Sequence, residues 1–290
     1  MKINAIWDFR ICKDLMESSN LKDELDSLLD AIHCVDIDDA CMNYCDDLFY
    51  QTIDDNSFSD WLYDKSDDPV VRAQKRELSK LIYKSVSIPK DEYDTLICEM
   101  QDKKEKSKLI CSFHKSCEDV AFVFDIESYL SAKRWFLSNC TNKDDFLEDA
   151  KMCFDNLFFN DDINQYVNTL CTDFKIVRPH IVRHLEALDD FRSRNFQPSD
   201  ISMGFRELSK RIIGLYSIEC SPQASRDSIN DVTFIFKDYA NNKRSICCEL
   251  HTKLKWHDMD KQNQDRIYFH PGGLDFADGK LLIGYIGRHL

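Results

Sequence analysis

Histidine is concentrated near the C-terminal end of this 290-residue chain, where four of its eight histidines lie between residues 251 and 289. The same stretch carries glutamate, lysine, arginine and tyrosine in the segments 249–253, 266–270 and 288–289. Histidine exchanges a proton near neutral pH, and arginine or lysine holds a phosphate. These residue types suit the metal-independent cleavage of an RNA phosphodiester, in which a base takes the 2′-hydroxyl proton and an acid protonates the leaving oxygen.

Strands would bring these side chains together, because alternate residues of a strand point to the same face. Alternation and turn residues predict strands at 232–236, 245–250, 266–269 and 281–286. Short polar connections favour an antiparallel meander. We therefore predict a catalytic set and a substrate-binding set on this sheet. The catalytic set is His251, Lys253, Arg266 and His289, and the substrate-binding set is Glu249, Tyr268, His270 and Arg288.

Helices followed by such a sheet, with basic and aromatic residues on its strands and the ending Ile-Gly-Arg-His at 286–289, resemble the RelE-type toxin fold. In that family a compact sheet binds RNA, usually on the ribosome, and cleaves it. The resemblance covers residues 199–290 and implies that Lys253, Arg266 and Arg288 hold phosphate while His251 and His289 act as acid and base. The tail here is less basic and the chain longer than in such toxins. The same segments resemble C-terminal regions of uncharacterised bacterial proteins from phage-defence and mobile-element gene neighbourhoods.

The earlier part of the chain carries mainly helical patterns. Leu21, Leu25 and Leu28 form one apolar stripe, and residues 199–216 have the clearest helical spacing. The apolar period changes from about 3.6 to 2 near residue 230. We therefore predict an α+β chain with a mostly helical regulatory or interaction domain at 1–218. A small domain at 219–290 would hold a helix-backed, four-stranded antiparallel sheet.

Negative charge is concentrated at the start of the chain. Residues 1–70 hold 5 Lys/Arg against 18 Asp/Glu, whereas residues 244–290 hold 7 against 6. An acidic surface repels nucleic acid and attracts basic proteins. We predict a protein partner at the acidic N-terminal region and RNA at the C-terminal sheet.

Cysteine usage and hydropathy indicate where the protein works. The 13 cysteines are odd in number, scattered and without a CxxC pair, so we predict reduced thiols, no bound metal and no cofactor. The start lacks the basic and apolar regions of a signal peptide, and no apolar run reaches the roughly 18 residues of a membrane span. We predict a cytoplasmic protein without a membrane segment.

Three other interpretations remain open. Asp231, Glu249 and Lys253 partly match the metal-dependent PD-(D/E)xK nucleases, although the lysine comes two residues late. Arg178 and His184 have the six-residue spacing of HEPN-class ribonucleases, with Pro179 between them. The third interpretation is a non-catalytic binding or scaffold subunit of a multi-protein anti-phage defence or mobile-element complex.

Overall fold

The structure is a computed structural model that describes residues 1–37, 41–65, 68–101, 109–116, 118–139, 141–197, 199–200, 203–223, 230–254, 264–273 and 275–290. The chain forms two compact units, Met1–Phe136 and Leu137–Leu290, which we call unit 1 and unit 2. This division differs from the predicted one at residue 218. Helices and strands occur in both units, so the prediction of a mixed α and β protein is confirmed at that level.

Unit 1 contains short strands and longer helices in alternation. Its strands are β1 (Asn4–Trp7), β2 (Cys41–Cys45), β3 (Thr52–Ile53), β4 (Asn56–Ser57), β5 (Val86–Ile88), β6 (Ile110–Phe113) and β7 (Phe122–Val123). Its helices are α1 (Phe9–Met16), α2 (Leu21–Ile37), a 3-10 turn (Leu48–Tyr50), α3 (Phe58–Leu62), α4 (Pro69–Lys84), α5 (Lys90–Gln101) and α6 (Ile126–Asn139), of which the last begins in this unit.

Five strands of unit 1 form one parallel sheet in the order β5-β2-β1-β6-β7. Strands of a parallel sheet are covered on both faces and read as apolar runs, without alternation. The run of residues 3–7 fits this rule, because Ile3, Ala5, Ile6 and Trp7 are all buried. The prediction of a mostly helical region therefore has to be corrected, since a doubly wound parallel sheet lies within it.

Unit 2 has a second set of elements. Its strands are β8 (Leu157–Phe159), β9 (Cys220–Pro222), β10 (Thr233–Lys237), β11 (Lys243–Cys247), β12 (Leu250–Lys253), β13 (Arg266–His270) and β14 (Leu281–Gly287). Its helices are α7 (Phe146–Lys151), α8 (Ile163–Val167), α9 (Phe174–Asp190), a π-helix (Phe191–Asn195), α10 (Phe205–Tyr216) and two 3-10 turns (Asn230–Val232 and Ala277–Gly279).

The main sheet of unit 2 has five strands in the order β8-β14-β13-β12-β9. It is mixed, because β8 runs parallel to β14 while the other neighbours are antiparallel. The predicted four-stranded antiparallel sheet is therefore corrected in composition and direction. Of the four predicted strands, the first two form the separate hairpin β10–β11.

The hairpin packs on one face of the main sheet. Its Phe234 and Phe236 join Tyr268, Leu282 and Tyr285 in a buried cluster. Strands β13 and β14 are buried along almost their whole length, and their polar residues do not form the open face that the sequence predicts.

The described cysteines and the hydropathy of the helices can be compared with the sequence predictions. The cysteines that the structure describes are free thiols, and burial raises the pKa of Cys111 and Cys220 to about 12. Across the described ranges, no helix combines the length and apolar character that crossing a bilayer requires.

Candidate functional site

Strands β12, β13 and β14 place the predicted catalytic residues near one end of the main sheet. His251 lies opposite Tyr268, and Lys253 lies opposite Arg266. Directly opposite residues of an antiparallel pair point to the same face, so these four side chains are neighbours. We call His251, Lys253, Arg266 and His289 the His–Arg cluster.

His251 is held by two polar neighbours. Its Nε2 lies 3.1 Å from the Arg266 Nη1 and 3.1 Å from the Ser221 Oγ. A guanidinium can only donate, so His251 Nε2 accepts and the ring proton sits on Nδ1. Burial, followed by the positive charges of Arg266 and Lys253, lowers the pKa of His251 to about 3. His251 is thus a neutral acceptor at pH 7, which fits the positioning of Arg266 better than proton transfer.

Arg266 is a buried cation with neutral partners. Its side chain contacts the His251 ring and the Tyr268 hydroxyl, which lies 3.4 Å from Nη1. The residue is 8% exposed, and its Nε donates no hydrogen bond to any part of the chain that the structure describes. Nor does any described carboxylate form an ion pair with it. Burying a guanidinium without a counter-ion costs several kcal/mol, so the arrangement favours an external anion.

Lys253 and His289 complete the cluster at its more accessible side. The Lys253 Nζ forms an ion pair with the Glu219 Oε1 at 2.7 Å, and both side chains are partly exposed. His289 is exposed. Partial burial, and then the charges of Arg266 and Lys253, lower the pKa of His289 below its usual 6.5. His289 is therefore a neutral base at pH 7 that senses the same positive potential.

The predicted substrate-binding residues are scattered, and only Tyr268 joins the cluster. His270 lies four residues along β13 from Arg266, about 13 Å at the usual rise per residue, where burial and then Arg244 lower its pKa to about 4. Arg288 lies near Cys171 and Tyr285, where its charge partly offsets the burial that raises the pKa of both groups. Glu249 precedes β12, where burial, and to a smaller extent the charge of Glu249, raises the pKa of Cys247.

Neither alternative nuclease site is assembled. Lys253 pairs with Glu219, not with Glu249, and Asp231 lies exposed in a 3-10 turn. This arrangement does not give the PD-(D/E)xK set.

The HEPN-like pair lies on one helix after all, because α9 continues through Pro179. However, the Arg178 guanidinium donates to the carbonyls of Ser138, Asn139 and Thr141. His184 is buried, which lowers its pKa to about 4. Arg178 is therefore engaged with backbone carbonyls, and His184 is not exposed to a substrate.

A second polar group lies in unit 1, at the carboxyl end of its parallel sheet. From β1 the chain continues through β2 to β5 on one side, and it then crosses to the other side of β1 as β6. The strands β1 and β6 therefore flank the switch point where open α/β sheets commonly bind ligands. Buried Asp8 follows β1 there and accepts hydrogen bonds from Arg10 Nε at 2.9 Å and Ser112 Oγ at 3.5 Å. Its charge is thus already compensated, unlike that of Arg266.

Two further groups surround this point. The ring of His114 stacks on Phe122 with centroids 4.6 Å apart, and its pKa is lowered, first by burial and then by Arg10. At the end of β2, Cys45, Asp46 and Asp47 offer atoms within 4.8 Å of one another that could hold a cation. Exposed acidic groups often have that spacing without an ion, so we assign no site to them.

Sequence reasoning missed Ser221, Glu219 and Asp8. The segment 219–222 contains a proline and reads as a linker, yet it pairs with β12 as an edge strand. The signal for Asp8 was present, since the apolar run of residues 5–7 ends at this carboxylate.

Comparison of the chain with protein-family models, with curated proteins and with solved structures gave no match.

Proposed function

We propose that unit 2 is a metal-independent ribonuclease that holds an RNA phosphate at the His–Arg cluster. The observation that carries the proposal is the buried Arg266 guanidinium without a described counter-ion. The charges of Lys253 and Arg266 both depress the pKa values of His251 and His289, which points to a positive local potential. A phosphate would bind there by charge-assisted hydrogen bonds. Such an activity would suit a toxin-like effector of a bacterial defence system.

The chemistry would use His289 as the base. Its neutral imidazole would take the proton of an RNA 2′-hydroxyl, whose oxygen then attacks the phosphorus. The bond from phosphorus to the 5′-oxygen breaks, and Lys253 would protonate that oxygen. Arg266 would stabilise the charge on the phosphoryl oxygens, and His251 would keep the guanidinium in place. The products are a 2′,3′-cyclic phosphate and a 5′-hydroxyl.

Incubation of the pure protein with single-stranded RNA in EDTA tests the proposal. We expect cleavage that survives EDTA and falls by about 10²-fold or more in His289→Ala, the usual range for loss of a general base. Lys210→Ala is the control, because Lys210 is exposed and, among the residues that the structure describes, its ion pair is with Glu207 on the same helix. Intact RNA with the unmodified protein, or equal cleavage by His289→Ala, would reject the ribonuclease.

A second candidate is a binding or scaffold subunit without chemistry, and a surface of unit 1 favours it. Tyr50, Tyr63, Tyr83 and Val86 are 82, 51, 57 and 52% exposed. We call them the tyrosine patch. Tyr83 stacks on Phe49 at 4.7 Å, and its pKa is raised by partial burial and then by Tyr63 and other tyrosines. Exposed aromatic groups of this kind often mark protein interfaces, in which tyrosine is a frequent anchor.

One experiment distinguishes the ribonuclease from the scaffold subunit. A scaffold would retain a partner protein in extracts of its host, and Tyr50→Ala with Tyr83→Ala would release it while RNA remained uncut. Loss of the partner at high salt would place the acidic residues of unit 1 at the contact.

A further inference from the structure

A cavity of about 340 Å³ lies in unit 2, away from the residues of the His–Arg cluster. It is formed by the end of α7, the edge strand β8, the turn of the hairpin β10–β11 and the residue before β14. Pockets for small ligands usually span about 300–1,000 Å³, so this one suits a molecule at the small end of the range.

The charged groups around the cavity balance each other. Its walls contain the three lysines 151, 237 and 280 and the three aspartates 155, 161 and 238. Two lysines have ion-pair partners, since Lys151 pairs with Glu148 at 3.0 Å and Lys237 with Asp161 at 3.4 Å. The Asp238 carboxylate forms hydrogen bonds within its own turn, where it accepts from the backbone N–H groups of Ala240 and Asn242.

Lys280 and Asp155 are the other two charged residues of the cavity wall. Within the part of the chain that the structure describes, neither side chain has an ion pair or a hydrogen bond, although both line the cavity. Lys280 is half-buried, where an unpaired ammonium is less favourable than in open water. The cavity therefore offers one positive and one negative group to a ligand.

The remaining wall is aromatic. Phe158 and Tyr239 meet edge to face with ring centroids 5.6 Å apart, and Tyr239 is 68% exposed. Phe154 and Leu157 form the buried floor. A ring in the ligand could pack on this wall and cover the exposed tyrosine.

We propose that this cavity binds a free aromatic α-amino acid, with its carboxylate on Lys280, its ammonium on Asp155 and its ring against Phe158 and Tyr239. A lining of zero net charge suits a zwitterion and gives little attraction to a dianionic nucleotide. The cavity volume of about 340 Å³ also suits a ligand as small as a single amino acid. This inference does not depend on the proposed ribonuclease, since no residue is shared.

Isothermal titration with the full chain tests the proposal. L-phenylalanine is the probe, with L-phenylalaninamide, which lacks the carboxylate, and N-acetyl-L-phenylalanine, which lacks the ammonium. We expect the unmodified protein to bind the amino acid about tenfold or more tightly than either analogue, because each analogue loses one charge-assisted contact.

Two variants then assign each contact. Lys280→Met should bind the amino acid and the amide equally, and Asp155→Asn should bind the amino acid and the N-acetyl form equally. Lys210→Met is the control and should keep the full preference. Tyr239→Ala, at an exposed position, should weaken all three ligands without unfolding the protein.

Three outcomes would contradict binding of a free amino acid. Tight binding of the N-acetyl form by the unmodified protein would mean that the cavity binds a peptide C-terminus, and tight binding of the amide would mean a peptide N-terminus. Either result, or no heat with any aromatic amino acid, would overturn the proposal.

Discussion

At the scale of single residues, burial changes the role expected of His251. A histidine on a strand beside lysine and arginine predicts acid–base chemistry from the sequence. In the folded chain the loss of solvent, and then the same cations, lower its pKa to about 3. The residue types of the cluster could thus be predicted, whereas the role of His251 depends on contacts with Ser221 and Arg266 that no pattern encodes.

This pKa shift predicts a pH dependence of stability. A histidine with a folded pKa of about 3 and an unfolded pKa near 6.5 takes up its proton first in the unfolded chain. Its contribution is therefore complete above pH 6.5 and is lost as the pH falls toward 3. At pH 4.5, two units below the unfolded pKa, His251 should lower the free energy of unfolding by about 2–3 kcal/mol relative to pH 7.

Urea unfolding of the unmodified protein and of His251→Gln at pH 7 and pH 4.5 measures this difference. The variant should lose about 2–3 kcal/mol less between the two pH values. His184 and His270, whose pKa values are also lowered to about 4, contribute equally in both proteins. An identical loss in both proteins would show that His251 titrates normally.

At the scale of elements, the sheet of unit 2 depends on a close approach between β14 and the hairpin. A Cβ on Gly284 would lie 2.5 Å from Cδ2 of Phe234 and 2.7 Å from Sγ of Cys248. The ladder between β13 and β14 is irregular at this glycine, which has no partner on β13. Gly284 thus lets a bulged strand lie directly beneath the aromatic hairpin.

We expect Gly284→Ala to reduce the free energy of unfolding by about 1–3 kcal/mol, the usual effect of overpacking a core. The matched control is Gly214→Ala in helix α10, where an added Cβ meets no atom within 4 Å. That control should stabilise the protein by about 0.5–1 kcal/mol, because alanine favours a helix. Thermal unfolding of the two variants gives opposite shifts, and a stable Gly284→Ala protein would contradict the packing.

The strands that the sequence predicts are those with clear boundaries. The positions of β10, β11, β13 and β14 follow from alternation or from apolar runs between turn residues. Pairing could not be predicted, because only two residues, Cys248 and Glu249, separate β11 from β12. Even so, β11 pairs with β10, whereas β12 pairs with β9 and β13. The parallel strands of unit 1 were missed because they are short, and one of them, β2, reads Cys-Met-Asn-Tyr-Cys. Such residues have no marked strand pattern.

At the scale of the whole molecule, charge is unevenly spread. The chain has a net charge of −14, and residues 1–70 account for most of it, with 18 acidic against 5 basic residues. If RNA binds unit 2, this acidic region should slow its approach at low ionic strength. The Debye length is about 30 Å at 0.01 M salt and about 8 Å at 0.15 M, so the effect should fade as salt is added.

Neutralising Asp30, Asp54 and Asp55 with asparagine tests this expectation. All three are exposed, and asparagine tolerates the positive φ angles of Asp54 and Asp55. We expect faster RNA association by stopped-flow fluorescence at about 0.01 M salt and no difference at about 0.15 M. Equal rates at low salt would show that the acidic region does not influence binding.

The most direct test of the central claim is the affinity for a labelled single-stranded RNA, measured by fluorescence anisotropy over a range of salt concentrations. Arg266→Met and Lys253→Met are compared with the control Lys210→Met, after circular dichroism has shown that each is folded. If a phosphate is held at the His–Arg cluster, the first two variants should bind RNA at least about tenfold more weakly than the unmodified protein. Their slope of log K against log salt should also be reduced by about 0.7 per lost phosphate contact. Unchanged affinity and slope in both folded variants would contradict the claim.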